Sequence, residues 1–471
     1  MRNRSAKILA TVGPASVAPD TLRLLHDVGV DAFRLNFSHG SHADHERSVK
    51  AIRAIQKETG NAITIVADMQ GPKLRCGEFE KGQIELRYGE IVEIIKSSEL
   101  GKDGLISMPH QELMDVMEEG HVLKFDDGKL MVTILSNDGK CLKARVDVPG
   151  ILKNKKGINV IGAVLPMSAM TEKDKVDMAF ALKQEVDYIA LSFVQTAQDV
   201  IDARKIVGDK AGIIVKIEKP SAVEDLDDIL RVADAAMVAR GDLGVELPLE
   251  QVPVVQRQII RKARALGKPV IVATHMLESM IDAPTPTRAE ASDVATAIYQ
   301  GADAVMLSAE TAVGRHPATA VAIMDRIIGA AEADPEYWKY FKQAELPHEA
   351  TPEDAISQSV RGIVETLDCK AVLGYTLTGS TVQRISRERP PCKIICLTPR
   401  HSTASRLALS WGVIPVVTRD PKDFEDMLVN IQGLAKSNRV NLKTGDKVMI
   451  SAGIPFGRPG TTNTLKIATI D

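Results

Sequence analysis

Short runs rich in β-branched residues alternate with longer amphipathic stretches along most of this chain. Eight runs have the length and composition of buried strands. They are Ile8–Val12, Phe33–Phe37, Ile63–Ala67, Tyr188–Phe193, Ile213–Ile217, Ala236–Ala239, Pro269–Ala273 and Ala304–Leu307. The stretches between them, such as Ser221–Ala233 and Leu249–Leu266, have the length of crossover helices. Eight βα units predict a (β/α)8 TIM barrel, an α/β fold whose active site lies at the carboxyl ends of its strands.

One gap in this alternation is too long to be a loop. More than a hundred residues separate the third run from the fourth, and such a gap inside a compact domain indicates an inserted domain. The segment 72–165 reads as short strands joined by hairpin-type turns, as at Asp126-Asp127-Gly128 and Asn137-Asp138-Gly139. We therefore predict an all-β lid domain over 72–165, inserted in a barrel formed by 1–71 and 166–344.

The chain from residue 345 to residue 471 has the pattern of a separate domain. Four strand-like runs alternate there with helical patterns, namely Ala371–Tyr375, Ile394–Leu397, Val413–Val417 and Lys447–Ser451. This order predicts a small open-sheet α/β domain at the carboxyl end.

Composition excludes several classes of function. The formal net charge is -3, and no basic block is long enough to follow a nucleic-acid backbone. No apolar run approaches the length of a membrane span. The five cysteines are scattered and complete no zinc motif. We therefore expect a reduced, cytoplasmic protein that binds neither nucleic acid nor membrane.

Polar residues follow six of the eight barrel strands. They are Arg34, Asn36, Ser38 and His39; Asp68, Lys73 and Arg75; Lys216 and Glu218; Arg240 and Asp242; Thr274; and Ser308 and Glu310. Strand side chains alternate between two faces, so Lys216 and Glu218 share one face, as do Arg34 and Asn36. A single charged strand end is usually a solvated edge. Six strand ends with polar residues in one barrel predict a polar mouth that they share.

The charges at this mouth favour phosphoryl transfer assisted by a metal. Glu218 and Asp242 offer two hard oxygen ligands, which suit Mg²⁺ or Mn²⁺ better than zinc. An alternative is a salt-bridge network with Lys216 and Arg240, but the Gly-Asp turn favours a metal and anion site. Lys216 and Arg34 would supply positive charge to a transferring phosphoryl group. No P-loop motif occurs.

Seven segments carry a resemblance to a known family over nearly the whole chain. They read FRLNFSHGS, ADMQGPKLR, NKKGINVIGAVLP, VKIEK, MVARGDLGVELP, PVIVATHMLESM and PTRAEASDVATAIYQGADAVMLSAETAVGRHP. In these segments the chain resembles the pyruvate kinases. The resemblance implies transfer of the phosphoryl group of phosphoenolpyruvate to ADP, giving ATP and pyruvate, the last step of glycolysis. It also implies the same three-part layout.

The resemblance implies a role for each matching position. Glu218 and Asp242 would bind Mg²⁺, Lys216 would stabilise the transferring phosphoryl, and Arg34 would hold the substrate phosphate. Thr274 would hold the substrate carboxylate with the backbone of Gly241 and Asp242. The enolate would be protonated near Thr274, Ser308 and Glu310, with the acid left open. The positions implied to meet the nucleotide or its ions are Asn36, Phe37, Ser38, His39, Arg75 and Lys156.

The chain departs from the family pattern at its potassium positions. Family members that use K⁺ bind it at positions matching Asn36, Ser38 and Asp68, and usually have Thr and Glu where this chain has Met69 and Lys73. An ammonium beside Asp68 would replace the ion's charge and repel a second cation. We therefore predict activity without K⁺.

The resemblance also implies regulation and assembly. The loop with Thr376, Thr378, Gly379, Ser380 and Thr381 has the small hydroxyl residues of a phosphate cradle, and sugar phosphates are effectors in this family. An ordinary turn before a helix is the alternative. The family is usually tetrameric. Two other functions stay open, a metal-dependent aldolase or lyase acting on a keto acid, and a non-catalytic sensor of a phosphorylated metabolite.

Overall fold

A computed structural model describes residues 2–163, 165, 167–343, 346–436, 440–455 and 462–471. Its strands are β1 Lys7–Val12, β2 Ala32–Asn36, β3 Thr64–Asp68, β4 Gln83–Leu86, β5 Ile91–Ile95, β6 Leu105–Ser107, β7 Val122–Phe125, β8 Leu130–Asn137, β9 Cys141–Val148, β10 Gly150–Lys153, β11 Ile158–Ile161, β12 Tyr188–Leu191, β13 Gly212–Ile217, β14 Ala235–Ala239, β15 Val270–Ala273, β16 Ala304–Leu307, β17 Ala371–Tyr375, β18 Lys393–Thr398, β19 Val413–Val417, β20 Lys447–Gly453 and β21 Thr462–Thr469.

The helices fill the intervals between these strands. They are α1 Pro19–Val28, α2 His42–Thr59, α3 Gln111–Val116, α4 Glu172–Lys183, α5 Ala197–Val207, α6 Pro220–Glu224, α7 Leu226–Val232, α8 Arg240–Glu246, α9 Val252–Ala265, α10 Arg288–Tyr299, α11 Ala309–Ala312, α12 Pro317–Ala333, α13 Pro335–Gln343, α14 Pro352–Leu367, α15 Ser380–Arg387, α16 His401–Leu407 and α17 Phe424–Lys436. Short 3₁₀ turns cover Leu249–Gln251 and Glu278–Ile281. Ser41, Thr171 and Thr287 begin α2, α4 and α10 with capping boxes.

The eight predicted runs form a closed parallel barrel, which confirms the fold class. The strand order is β1-β16-β15-β14-β13-β12-β3-β2. Apolar side chains fill the barrel interior, among them Leu9, Val66, Ile214 and Met237. Two residues further along these strands stand the polar positions, for example Lys216 after Ile214. The alternation of faces therefore places Lys216 at the carboxyl end of the barrel, as predicted.

The inserted segment forms two small sheets of its own. Six strands pair in the order β11-β7-β8-β9-β5-β6, and β10 pairs with β4. The β7–β8 turn carries Asp126, Asp127 and Gly128, all with positive φ, as the hairpin motif requires. The short helix α3 is the one element that the all-β description left out of this segment.

The carboxyl-terminal domain is an open five-stranded sheet in the order β19-β18-β17-β20-β21. All four predicted strands are present. The fifth, β21, was missed by sequence reasoning because it is a half-exposed edge strand that mixes polar and apolar residues. It runs antiparallel to β20.

One of the predicted domain limits lies in a connecting segment that the structure describes. Residue 71 follows β3, and its glycine has the positive φ of a turn. Residues 166, 344 and 345, which mark the other predicted limits, lie outside the described residues. The exact boundaries therefore stay predictions. Among the helices of the described ranges, none combines the length and the hydrophobicity that crossing a membrane requires.

Candidate active site

A buried cluster of ion pairs occupies the mouth of the barrel. Arg34 Nε lies 2.6 Å from Asp68 Oδ2, and Lys216 Nζ lies 3.4 Å from Asp68 Oδ1 and 2.9 Å from Glu218 Oε1. The four residues come from β2, β3 and the end of β13. Asp68 and Glu218 are each only 1% exposed. The structure therefore brings together two cations and two carboxylates that the sequence placed on separate strand ends.

Hydrogen bonds fix the orientation of these side chains. Lys216 Nζ donates to Ser192 Oγ (2.7 Å), and Ser192 Oγ donates in turn to the Met69 carbonyl (2.8 Å). Arg34 donates to Thr11 Oγ1 (3.2 Å). Sequence reasoning missed Ser192 and Thr11. The alternation of strand faces could have indicated Ser192, because it lies two residues after Ala190, which faces the barrel interior.

Burial and charge shift the pKa values of this cluster. Burial would raise the pKa of Asp68, but the charges of Lys216 and Arg34 outweigh it and hold that pKa below its ordinary value. Burial would lower the pKa of Lys216, but Asp68 and Glu218 outweigh it and raise that pKa. Lys216 is therefore a permanent cation at neutral pH. Burial raises the pKa of Glu218 to about 7, against the opposing charge of Lys216.

The donor set at this mouth fits a divalent metal ion. Glu218 Oε1 and Asp68 Oδ1 are buried oxygens that the Lys216 ammonium approaches, at 2.9 and 3.4 Å, and that no other described group satisfies. Burial raises the pKa of Glu218, and the charge of Asp242 raises it further. A hard cation would relieve both the buried oxygen and the repulsion. No group of three or more His, Cys, Asp or Glu side chains suited to a metal occurs in the described part of the chain.

The turn after β15 lies against the start of α8. Thr274 Oγ1 accepts a hydrogen bond from the Gly241 N–H (2.7 Å). Thr274 and His275 both have positive φ, a conformation that non-glycine residues adopt at some cost. Arg240 holds the turn, because it donates to the Thr274 carbonyl (2.6 Å) and pairs with Asp293. Thr274 therefore lies against Gly241, the residue before Asp242, and their common subsite stays a prediction.

The end of β16 places Ser308 beside Glu310. The Glu310 carboxylate accepts hydrogen bonds from the backbone N–H groups of Ser308 (2.6 Å) and Leu277 (3.1 Å), and it is 2% exposed. Ser308 Oγ is buried without a hydrogen-bond partner in the described ranges. Glu310 thus tethers two loops of the mouth, while the Ser308 hydroxyl has free hydrogen-bonding capacity.

The predicted nucleotide residues fall into two groups. Asn36 ends β2, and Ser38 and His39 follow on the next loop, where the Ser38 N–H donates to Asn36 Oδ1 (3.1 Å). Arg75 and Lys156 lie at the base of the inserted domain, where Arg75 donates to the Lys155 carbonyl (3.0 Å) and Lys156 pairs with Asp126 (2.8 Å).

Two predicted ligand side chains are turned into the core. Phe37 is 4% exposed and stacks on His45 at a ring distance of 4.2 Å, so its ring is not available to a nucleotide. Met69 is 2% exposed and packs in the hydrophobic core. Only the backbone carbonyl of Met69 faces the site, through its bond with Ser192. Phe37 follows Asn36 and Met69 follows Asp68. Since successive side chains of a strand point to opposite faces, Phe37 and Met69 point away from the site.

The structure corrects the position expected for Lys73. We expected its ammonium beside Asp68, but no ion pair within 4.0 Å joins these two described residues. Asp68 is paired with Arg34 and Lys216 instead. Lys73 packs against Gly157. It lines a cleft between the inserted domain and the barrel that also includes Asp242.

The predicted effector loop is partly closed by its own hydrogen bonds. Thr376 Oγ1 accepts the Gly379 N–H (2.9 Å), and Thr381 Oγ1 bonds to Thr462 Oγ1 (2.5 Å). Thr376 and Thr381 are buried, whereas Thr378 is exposed and Ser380 partly so. The loop precedes α15, with Gly379 at positive φ. Thr378 and Ser380 are therefore the hydroxyl groups that remain accessible.

Comparison with known proteins decides the family. Residues 3–321 match the family model described as pyruvate kinase, barrel domain, and residues 354–468 match that described as pyruvate kinase, alpha/beta domain. The chain belongs to the pyruvate kinase family. This assignment favours a kinase over the two alternatives that the sequence left open, the keto-acid aldolase or lyase and the metabolite sensor.

Individual pyruvate kinases resemble the chain over its full length. One from Agrobacterium vitis is 48% identical over 99% of this chain and 97% of its own length. One from Methylorubrum extorquens is 45% identical over 100% and 98%. The crystal structure of a pyruvate kinase from Cryptosporidium parvum superimposes with a TM-score of 0.92 at 34% identity, covering 99% of this chain and 96% of that chain. The three-part architecture is therefore that of the pyruvate kinase family.

Proposed function

We propose that the ion-pair cluster at the barrel mouth is the phosphoryl-transfer centre of this pyruvate kinase. As a member of the family, the chain transfers the phosphoryl group of phosphoenolpyruvate to ADP, giving ATP and pyruvate. The observation that carries the proposal is the Lys216 ammonium, held between Asp68 and Glu218 and bonded to Ser192. This position is rigid before any substrate arrives, which is the arrangement that electrostatic catalysis requires.

Glu218 and Asp242 would hold a divalent cation, Mg²⁺ in the first place and Mn²⁺ as a substitute. When bound, such an ion neutralises phosphoryl and carboxylate oxygens of the substrate. Lys216, beside Glu218, and Arg34 add fixed positive charge to the mouth, where it would stabilise the charge of the moving phosphoryl group. Asp68 keeps both cations oriented, because it is within ion-pair distance of each.

The substrate carboxylate would bind at Thr274 and the backbone of Gly241 and Asp242. The Thr274 hydroxyl already meets the Gly241 N–H there. Loss of the phosphoryl group leaves an enolate that takes a proton at carbon. Thr274 and Ser308 are the hydroxyl groups that would pass this proton from water, while Glu310 holds the two loops in place. The adenine nucleotide would lie between Asn36, Ser38 and His39 on the barrel and Arg75 and Lys156 on the inserted domain.

The role of Lys216 is tested by a coupled assay of pyruvate formation. We expect Lys216→Met to lower kcat by at least about a hundredfold, since a preorganised charge is lost from the transition state. The matched control is Lys205→Met, an exposed lysine on α5, which should keep the normal rate. A Lys216→Met enzyme with the rate of the unmodified protein would refute the assigned role.

Metal binding is tested without turnover. We expect Glu218→Gln to weaken the binding of Mn²⁺, followed by its electron paramagnetic resonance signal, by about tenfold or more. Glu353→Gln, at a carboxylate in the carboxyl-terminal domain, serves as control. Equal Mn²⁺ affinity in the unmodified protein and in Glu218→Gln would place the metal elsewhere.

We also propose that the enzyme works without K⁺, on an amended physical basis. Lys73 does not pair with Asp68, but its ammonium adds positive charge to the cleft that Asp242 also lines. We expect the same rate with and without K⁺ in sodium-free buffer. Lys73→Glu reverses the charge and should make the rate depend on K⁺. A large loss of rate in the unmodified protein that added K⁺ restores would contradict the proposal.

We also propose how the protein is regulated, how it assembles and where it is located. Thr378 and Ser380 are the accessible hydroxyl groups of the predicted effector loop, so a sugar phosphate would bind there rather than at Thr381. A titration comparing the unmodified protein with Ser380→Ala tests this.

We propose a homotetramer, as the resemblance implies, which sedimentation equilibrium would check. All five cysteines are described and free, which is consistent with a reduced, cytoplasmic protein.

A further inference from the structure

A second polar cavity lies at the other end of the barrel, between the barrel and the carboxyl-terminal domain. Its barrel side lies at the amino ends of the strands, because Pro269 directly precedes β15 and Asp303 directly precedes β16. It is therefore separate from the catalytic mouth. The residues that line it are Arg264, Gly267, Lys268, Pro269, Asp303, Gln383, Ser386, Arg387, Arg389 and Ser410.

Positive charge dominates this lining. Arg264, Lys268, Arg387 and Arg389 are cations, whereas Asp303 is the single carboxylate. Arg389 pairs with Asp303 at 3.2 Å, and Arg387 pairs with Glu388 at 2.9 Å and with Asp354 at 3.3 Å, so the excess positive charge is that of Arg264 and Lys268. Buried charges are stable only when paired, so the excess calls for negative charge from another source.

Two of these cations lack an acidic partner. Arg264 is 5% exposed, and no carboxylate of the described residues lies within ion-pair distance of it. Its Nε donates to the Arg387 carbonyl (3.0 Å), and its guanidinium stacks on Phe341. Lys268 Nζ donates to the Ala233 carbonyl (2.7 Å), and no carboxylate of the described ranges lies within ion-pair distance of it. Glu388 and Asp303 act on Arg264, and Asp234 acts on Lys268, only from beyond ion-pair distance, so neither cation has a direct acidic partner in the described structure.

Three donor atoms on the same lining are buried without a hydrogen-bond partner in the described residues. They are Arg387 Nη2, Arg389 Nε and Ser410 Oγ. Arg389 and Ser410 are each 1% exposed. Arg387 Nη2 has only an ion-pair contact with Asp354 at 3.3 Å. Unsatisfied buried donors are rare in folded proteins, and Arg389 Nε and Ser410 Oγ on one cavity indicate an acceptor that the described residues do not provide.

The electrostatics of Arg264 agree with this geometry. Burial lowers the pKa of Arg264 to about 9, and the charge of Arg389 acts in the same direction. Burial also lowers the pKa of Lys268. An anion in the cavity would oppose all of these effects at once.

We propose that this cavity, the interdomain anion pocket, is a binding site for a phosphoryl-type dianion. Arg264, Lys268 and Ser410 would donate to its oxygens, with Gly267, Lys268 and Gln383 at the rim, where the lining is partly exposed. The same chemistry fits free inorganic phosphate and the phosphoryl end of a small phosphate monoester. Because the pocket is built from both domains, its occupant strengthens their junction.

The test is calorimetric titration of the full-length protein with inorganic phosphate at fixed ionic strength. Phosphate can also bind at the catalytic mouth and at the effector loop, so variants assign the site. We expect Lys268→Gln and Arg264→Gln each to weaken phosphate binding at the interdomain anion pocket by about tenfold. Ser380→Ala at the effector loop and Arg34→Gln at the mouth should leave the phosphate affinity of this pocket unchanged. Lys268 lies at the rim, so its variant reports on binding even if Arg264→Gln does not fold.

A second titration with glycerol 3-phosphate distinguishes the two sources of the dianion. Tighter binding of the ester than of phosphate, lost in Lys268→Gln, identifies a phosphorylated metabolite. Tighter binding of phosphate identifies the free ion. If Lys268→Gln binds both ligands as the unmodified protein does, or if the unmodified protein binds neither, the interdomain anion pocket is overturned.

Discussion

The barrel is joined to its two appended domains in different ways. The inserted domain has a hydrophobic core of its own, formed by residues from Leu74 to Leu165. The carboxyl-terminal domain instead shares the core of the barrel, in which Trp411 and Val413 are fully buried. Leu409 from that domain packs inside the barrel itself.

Polar contacts join the barrel to both domains, so they do not distinguish the two junctions as the cores do. At the carboxyl-terminal junction, Lys7 Nζ donates to the Val413 carbonyl (2.7 Å) and Thr64 Oγ1 to the Ser405 carbonyl (2.5 Å), both buried. At the inserted domain, Lys124 donates to the Val245 carbonyl (2.6 Å) and Asn159 to Glu246 (2.9 Å). A domain with its own core can pivot as a unit, whereas a shared core cannot be opened without exposing apolar surface. We therefore expect the inserted domain, on the side of the catalytic mouth, to move relative to the barrel, and the carboxyl-terminal domain to stay fixed to it.

The largest expected effect is at the shared core. Trp411→Ala should lower the unfolding free energy by about 3–5 kcal/mol, because it leaves a cavity between the two domains. It also removes the bond from Nε1 to the Tyr337 hydroxyl (2.9 Å) and the ring beneath Arg389. Urea unfolding measures the change. Trp411→Phe, which keeps most of the volume, should lose less than half as much. Equal losses in both variants would show that packing does not join these domains.

A smaller effect is expected from pH at the same junction. Burial lowers the pKa of Lys7 from 10.5 to about 8, against the opposing charge of Asp31. Between these two values the unfolded chain holds a proton that the folded chain has released, so the contribution of Lys7 to the unfolding free energy rises with pH. Relative to Lys7→Met, the unmodified protein should gain about 2 kcal/mol between about pH 7 and about pH 10.

Urea unfolding at several pH values, for the unmodified protein and Lys7→Met, measures this gain. The exposed Lys205→Met is the control and should run parallel to the unmodified protein. A stability difference between the unmodified protein and Lys7→Met that does not change with pH would mean that Lys7 titrates normally in the folded state.

The smallest expected effect on stability is at the inserted domain. Glu246 accepts hydrogen bonds from Asn159 and from Lys219 (2.6 Å), and it ends α8, whose first turn carries Asp242. Asn159→Ala should lower the unfolding free energy by about 1 kcal/mol, because one hydrogen bond is lost. It should also lower kcat by about fivefold, because the inserted domain is then held less firmly in position over the site.

Asn137→Ala is the matched control for Asn159→Ala. Asn137 bonds to the carbonyls of Met114 and Met117 inside the inserted domain, away from the barrel. It should lower stability to a similar degree and leave kcat unchanged. If both variants lower kcat equally, the effect comes from stability of the inserted domain and not from its junction.

Much of the fold could be read from local pattern. All eight barrel strands were predicted, since buried parallel strands are short, β-branched and separated by helices of fixed length. The strand β21 was missed because an exposed edge strand has no such pattern. At the site, Lys216 and Glu218 were found because they lie two residues apart at the end of one strand, where alternation gives them a common face. Ser192 was missed, although it obeys the same alternation, because a lone serine carries no charge signal.

The sequence by itself determined the barrel, its insertion and the set of charges at its mouth, because helix and strand periods are local properties. Tertiary structure decided which charges meet. It paired Asp68 with Arg34 and Lys216 and moved Lys73 to the cleft. It also gathered Arg264, Arg387 and Arg389 from two domains into one cavity. Such pairings depend on where distant segments pack, and burial then sets how strongly each charge acts.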